Sequence, residues 1–127
     1  MKYWLLKSEP DVFSIDDLYD CKDHTEPWDG IRNYQARNFM RDEMVINDQC
    51  FFYHSGKRKE IVGVAKVIKS FEPDPTDASN RFGMVTVVAM HSMTPVPLTW
   101  VKAQLNLQTM KLVKQPRLSV QPFSERE

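Results

Sequence analysis

Two long apolar segments constrain the fold of this chain more than any other feature. They run from Glu60 to Phe71 (EIVGVAKVIKSF) and from Met84 to Met93 (MVTVVAMHSM), with apolar residues at consecutive as well as alternate positions. A strand that is apolar on both faces must be covered on both sides, so we predict that each segment lies in the interior of a sheet. Gly63 inside the first segment predicts a bend or bulge, as in a sheet that curls towards closure.

Shorter segments complete an α+β pattern around these two strands. Ser14 and Asp17 have the spacing of a capping box and predict a short helix. The TPVP sequence after Met93 is expected to end that strand, and CKDHTEPWDG is expected to be a loop. Further strands are predicted at Tyr3–Lys7, Gln49–Ser55 and Arg117–Val120, and further helices from the IRNYQARNF segment to about Met44, from Trp100 (capped by Thr99) to about Leu105, and near TMKLVK.

The order of these elements limits the class of fold. Three strands follow one another with short connections and no helix between them, which indicates an antiparallel or mixed sheet and disfavours a doubly wound α/β fold. The 127 residues suit one domain spanning 1–127. We therefore expect an α+β protein with a small curled sheet of about five to six strands and helices at its ends.

Composition and charge exclude several classes of protein. The two cysteines make neither a disulfide framework nor a CxxC motif, which favours reduced thiols and a cytoplasmic location (nuclear in a eukaryote). No segment approaches the apolar length of a membrane span or a signal peptide, so we expect no membrane partner. Formal net charge is zero, with six basic and eleven acidic groups in residues 1–54 and the reverse afterwards. A protein that coats duplexes non-specifically should be more basic, so any nucleic-acid binding must depend on a local site.

The segment Ile31–Phe39 (IRNYQARNF) has an unusual composition for a helix. At 100° per residue, Ala36, Phe39 and Met40 form an apolar face. Asn33, Tyr34, Arg37 and Arg41 lie together on a neighbouring face, with Asn38 beside them. Amide, guanidinium and phenol groups on one face can hold a flat polar heterocycle or a phosphate. The residues alone leave a second interpretation open, a surface helix capped by Asn33.

Other candidate sites are weaker. Alternation in Gln49–Ser55 places Phe51, Tyr53 and Ser55 on one face and Cys50, Phe52 and His54 on the other. The three histidines lack the spacing of metal ligands, and no phosphate-binding glycine loop is present, so we expect neither a metal nor a cofactor. The cationic turn Lys57, Arg58 and Lys59 is suited either to phosphates or to solvent.

Six motifs in a fixed order extend the interpretation: YWLLKSEP, WDGIRNYQARN, FFYHS, KEIVGVAKV, DPT and VKQPRLSVQP. Together they resemble the EVE domain family, and the resemblance spans nearly the whole chain. It implies a PUA-like pseudo-barrel, in agreement with the order of elements above. One departure is Gly56, which stands where the family usually has Asn after FYHS.

The resemblance also implies a function and a set of site residues. Members of this family are thought to read modified cytosines. The resemblance therefore implies a non-catalytic module that flips a modified base into an aromatic and polar pocket, with DNA expected as the partner and RNA as the alternative. The expected base-binding residues are Ser8, Trp28, Asn33, Tyr34, Arg37, Asn38, Tyr53, His54, Ser55, Arg117 and Ser119, and the expected phosphate contacts are Lys57, Arg58 and Lys59.

Two alternatives remain at this point. Related ASCH domains include amidohydrolases of acylated pyrimidine nucleosides, for which Lys7 and Glu9 would be the catalytic candidates. The same pocket would also suit a small-metabolite sensor. We expect a monomer, although nothing in the sequence determines the oligomeric state.

Overall fold

The computed structural model describes residues 3–56, 59–79, 81–103 and 118–123. The strands are β1 (Tyr3–Ser8), β2 (Thr25–Pro27), β3 (Gln49–His54), β4 (Glu60–Pro73), β5 (Gly83–Pro97) and β6 (Val120–Phe123). The helices are α1 (Ile15–Asp20), α2 (Tyr34–Asp42) and α3 (Leu98–Ala103), with a short 3-10 turn at Lys22–His24.

All six strands form one mixed sheet in the order β2-β5-β4-β3-β1-β6. β1 and β3 run parallel, while the other neighbouring strands are antiparallel. In the described part of the chain the order ends at β2 and β6, so the sheet is curled but open. The structure therefore confirms the predicted α+β class and mixed sheet, and it places β4 and β5 in the interior as their two-sided apolar pattern predicted.

Gly63 lies at the predicted irregularity in β4. The pairing of β4 with β5 changes register between Ile61 and Gly63, and the pairing with β3 changes register at the same place. A Cβ atom at position 63 would lie 2.8 Å from Cδ1 of Ile15 and 3.2 Å from the carbonyl oxygen of His91. Glycine thus lets α1 approach the bent sheet closely.

The sheet separates two apolar layers. Trp4, Leu6, Cys50 and Phe52 pack on one face with the buried residues of α1 and α2. Leu5, Tyr53, Ile61 and Leu98 pack on the other face. This arrangement confirms the alternation predicted for β3. It also confirms the apolar face of α2, in which Ala36 and Met40 are buried and Phe39 packs against Trp4 with ring centroids 5.6 Å apart.

Several predicted boundaries were wrong for identifiable reasons. The CKDHTEPWDG segment is not all loop, because Thr25–Pro27 pairs with β5; three residues are too few to show alternation. TPVP does not end β5, since β2 pairs with β5 only as far as Val88 and the prolines lie beyond that pairing. The last strand continues past Val120 through Pro122, which an edge strand tolerates.

The helix predictions had mixed outcomes. The capping box of α1 is present, with Ser14 and Asp17 bonded reciprocally. α3 begins at Leu98, two residues earlier than predicted. The predicted helix near TMKLVK, residues 104–105 and Arg117 lie outside the described residues. None of the described helices is long and apolar enough to cross a membrane.

Candidate base-binding site

A cavity of about 300 Å³ opens beside the carboxyl end of β1. Three segments form its walls: the end of β1, the connection that leads into α1, and the end of β2 with the residues that follow it. This volume lies at the lower end of the range for small-molecule sites in proteins. The lining residues are Lys7, Ser8, Val12, Phe13, Glu26, Pro27, Trp28, Asp29 and Ile31.

The aromatic part of the wall is held rigidly. Trp28 meets Phe13 and Phe52 nearly edge to face, with ring centroids 6.1 and 5.4 Å apart. Its backbone N–H donates to the carbonyl oxygen of Val85 at 2.7 Å, which fixes the chain just after β2. Trp28 is only 5% exposed, so its ring is part of the core as well as of the cavity wall. Edge-to-face packing of this kind stabilises an aromatic cluster beyond the area that it buries.

The polar groups of the cavity are mainly acceptors. The Ser8 hydroxyl donates to the carbonyl oxygen of Phe13 at 2.6 Å, which leaves its lone pairs able to accept. Glu26 accepts from the thiol of Cys21 at 3.6 Å, and burial, followed by this carboxylate, raises the pKa of Cys21. Glu26 and Asp29 make the lining acidic. Such a site favours a ligand that presents N–H donors.

Lys7 is the one cation among the lining residues, and its ammonium group lies over a ring on the neighbouring strand β3. Its Nζ lies 5.6 Å from the ring centroid of Tyr53, the residue paired with it on β3. Burial, with a smaller contribution from Lys59, lowers the pKa of Lys7 to about 8. Burial also raises the pKa of Tyr53 to about 12. Glu9, the other catalytic candidate of the hydrolase alternative, is exposed and does not line the cavity.

The predicted residues of β3 lie beside the cavity rather than in its lining. Tyr53 belongs to the opposite apolar layer. The Ser55 N–H donates to the carbonyl oxygen of Ser8 at 2.9 Å. His54 Nε2 accepts from the backbone N–H of Ile15 at 3.0 Å, at the first turn of α1. The three residues thus contact the end of β1 and the start of α1 without lining the cavity.

Lowering the pH from about 8 to about 5 should destabilise the protein through His54. Burial lowers the pKa of His54 below 6.5, against the opposing effect of Glu60, Asp16 and Asp17. The folded state therefore binds this proton less readily than the unfolded chain. The contribution to stability is complete above pH 6.5 and is lost as the pH falls through the lowered pKa. Protonation also removes the acceptor for the Ile15 N–H.

Urea unfolding at a series of pH values would measure this effect. His54→Gln should show a shallower loss of unfolding free energy in this range than the wild-type protein. An unchanged slope in His54→Gln would contradict the assignment.

The polar face of α2 does not line the cavity. Asn33 is the N-cap of the helix, and its Oδ1 accepts from the Ala36 N–H at 2.9 Å. Tyr34 and Arg37 instead pack on Phe82, beyond β4, with Tyr34 and Phe82 ring centroids 5.0 Å apart. Arg37 Nε donates to Oδ1 of Asn38 at 2.9 Å. This face of α2 therefore packs partly on Phe82 and does not border the cavity. The roles predicted for these residues in base binding stay predictions.

The remaining predicted residues are spread more widely. The carbonyl oxygen of Ser119 accepts from the Lys7 N–H at 2.9 Å, which places this residue next to the end of β1. Lys59 is exposed. Arg117, Lys57 and Arg58 lie outside the described residues. Within the described ranges no group of three or more His, Cys, Asp or Glu side chains is arranged to hold a metal ion, and neither Cys21 nor Cys50 forms a disulfide.

Sequence reasoning missed most of the cavity wall, since only Lys7, Ser8 and Trp28 of its lining residues were candidates. Phe13, Glu26, Asp29 and Ile31 line it without having been singled out. The available signal was their position, since three of them lie within three residues of Trp28. Phe13 carried no such signal, because its place depends on how the connection from β1 to α1 folds back over the sheet.

Both the sequence and the fold of the chain are similar to those of known proteins. The profile described as "EVE domain" matches residues 2–127. Mouse thymocyte nuclear protein 1 is 38% identical, with 98% of this chain and 70% of that protein covered. The crystal structure of a protein from Agrobacterium tumefaciens is 43% identical, with a TM-score of 0.93 over 100% of this chain and 88% of that one. The crystal structure of human THYN1 protein in complex with 5-methylcytosine containing DNA is 35% identical, with a TM-score of 0.92 over 98% and 92% of the two chains. An ASCH protein from Zymomonas mobilis, at 10% identity and a TM-score of 0.57, shares the fold alone.

Proposed function

The chain belongs to the EVE domain family, and from this premise we propose that it binds DNA carrying a modified cytosine, with the modified base held in the cavity beside Trp28. The observation that carries the proposal is the similarity over nearly the whole chain to the human protein bound to 5-methylcytosine containing DNA. The cavity supports it independently, since it combines an aromatic wall with acceptor groups.

Base flipping explains how a duplex could supply such a ligand. A base inside the stack cannot reach a cavity of this kind, so it must rotate out of the helix at a cost of a few kcal/mol. Contact with aromatic side chains returns about 1–3 kcal/mol per base. Phe13 and Trp28 offer that contact. The net affinity then depends on the polar groups that read the base and on the space around its substituent.

The acidic lining suits cytosine in particular. The exocyclic N4 amino group of cytosine is a donor, and Glu and Asp are its usual partners in proteins. Glu26 and Asp29 supply carboxylates at the cavity, and Ser8 supplies a hydroxyl that can accept, since its own proton is donated to Phe13. Thymine presents an acceptor at the same position and would meet these carboxylates unfavourably. We therefore assign the reading of the N4 edge to Glu26 and Asp29.

A binding comparison tests the proposal. Two labelled duplexes that differ in one 5-methylcytosine should be titrated with the protein at the same moderate salt concentration. Burying one methyl group is worth about 0.8 kcal/mol, so the modified duplex should bind roughly fourfold more tightly or better. A duplex with thymine at the same position is the control for the amino group, because it carries the methyl group without N4. Equal affinity for all three duplexes would overturn the proposal.

A further inference from the structure

Three arginine side chains surround two aromatic rings next to the cavity. Arg37 stacks on Tyr34 with its guanidinium carbon 4.9 Å from the ring centroid, and Arg32 lies 5.6 Å from the centroid of Phe82. Arg81 donates from Nη1 to the Tyr34 hydroxyl at 3.4 Å, while its own carbonyl oxygen accepts from Nη1 of Arg37 at 2.8 Å. We call these five residues the arginine cluster. The stacking holds planar cations in place before any ligand arrives.

The nearby carboxylates are committed to building the loop that carries Phe82. Asp74 is buried and accepts from the Gly30 N–H, from Arg32 and from Thr76. Asp77 accepts from the backbone N–H groups of Ser79, Arg81 and Phe82. These hydrogen bonds hold the pKa of Asp74 far below its usual range and lower that of Asp77 to about 2. Both carboxylates thus stay ionised, and their oxygens accept hydrogen bonds from groups in and beside this loop.

Arg37 and Arg81 are not paired with a carboxylate of the described residues. Of the three arginines only Arg32 is paired, with Asp74 at 3.0 Å. Each guanidinium carries five N–H donors in a plane, and two of them can bind two oxygens of one phosphate at once. The described hydrogen bonds of Arg37 use two of those donors and those of Arg81 use one. Donors therefore remain at the surface for an oxyanion.

Asp74 joins this cluster to the cavity wall. Its Oδ2 binds the backbone N–H of Gly30 at 2.8 Å and the side chain of Arg32 at 3.0 Å. Gly30 and Arg32 flank Ile31, which lines the cavity. The arginine cluster therefore begins one residue from the cavity wall and is fixed to it through a buried carboxylate.

We infer that the arginine cluster binds the phosphodiester backbone of the strand whose base enters the cavity, an inference that rests on the proposed function. Glu26 and Asp29 make the cavity itself unfavourable for a phosphate, so the backbone must pass over another surface. Planar guanidinium groups form bidentate hydrogen bonds with phosphate oxygens. Phosphate contacts of this kind position a nucleic acid without reading its sequence. The acidic cavity would thus read the base, while the arginine cluster would hold the strand.

Salt-dependent titration of Arg37→Gln, Arg81→Gln and the double variant tests the inference with the methylated and unmethylated duplexes. Each lost phosphate contact should reduce the slope of log affinity against log salt by about 0.9, and the double variant should lose roughly tenfold in affinity. The ratio between the two duplexes should not change. Arg41→Gln is the matched control, since Arg41 lies on the same helix but pairs with Asp42 at 2.8 Å.

The outcomes separate this inference from the proposed function. Slopes and affinities equal to those of Arg41→Gln would overturn the arginine cluster as a phosphate site. If wild-type protein showed no methyl preference but Arg37→Gln and Arg81→Gln still reduced the slope, the base-reading proposal would fail and the phosphate contact would stand. Arg81→Lys should retain most of the slope, because it keeps the charge, and unchanged melting temperatures would show that the variants are folded.

Discussion

Replacing Glu26 with Gln and Asp29 with Asn together should weaken binding of the methylated duplex by roughly tenfold or more. A hydrogen bond to an ionised group contributes about 1.5–3 kcal/mol, and the amides that replace the carboxylates accept less strongly and introduce N–H groups facing the N4 amino group. Both residues line the cavity, and neither is fully buried. Fluorescence anisotropy with the methylated duplex and with the duplex that carries thymine at the same position would measure the loss.

The direction of this effect distinguishes base reading from general electrostatics. Removing two negative charges from a DNA-binding surface strengthens non-specific binding. The duplex with thymine at the same position has no N4 amino group, so it should bind the double variant as well as, or better than, it binds wild-type protein. Asp16→Asn with Asp20→Asn removes the same charge from exposed positions on α1 and serves as the control. A gain for both duplexes in the Glu26 and Asp29 variant would show that these carboxylates do not contact the base.

The prediction that α2 carries one wall of the pocket shows where sequence reasoning stopped. The period of a helix gives the direction of each side chain around its own axis. It does not say which distant segment covers that direction. Here the 74–82 segment supplies the cover, through Phe82 and the carbonyl oxygen of Arg81. That segment is joined to the chain before α2 by Asp74, a contact over 44 positions to Gly30 that no local pattern encodes.

The parts that could be predicted are those governed by local chemistry. The capping box of α1 depends on two residues three positions apart, and the layers of β3 depend on strict alternation. The bulge at Gly63 followed from the absence of a side chain. By contrast, β2 forms only because its three residues meet β5. The cavity depends on that same pairing, since Trp28 directly follows β2. The sequence therefore could not show that Glu26 and Asp29 line the cavity, because their positions depend on the pairing of β2 with β5.

Asp48→Ala should lower the free energy of unfolding by about 2–4 kcal/mol, the largest effect on stability that we expect from one polar side chain. Asp48 is 1% exposed, and its Oδ2 accepts from Nε1 of Trp4 and from the backbone N–H of Val45, each at 3.0 Å. Its backbone also accepts from the Val67 N–H at 3.0 Å. The side chain thus links β1 and the turn before β3, close to β4. Without it, two donors lose their acceptor where water does not readily replace it.

Urea unfolding would measure this loss, and two further variants would separate its causes. Asp48→Asn keeps one side-chain oxygen as an acceptor and should cost less than Asp48→Ala, since the shape of the site is preserved. Asp42→Ala removes an exposed carboxylate that pairs with Arg41, and it should leave the free energy of unfolding nearly unchanged. Equal losses in Asp48→Ala and Asp42→Ala would show that the link to Trp4 contributes little. A large loss confined to Asp48 would establish that the indole of Trp4, and with it the β1 strand that ends at the cavity, is held in place by this one carboxylate.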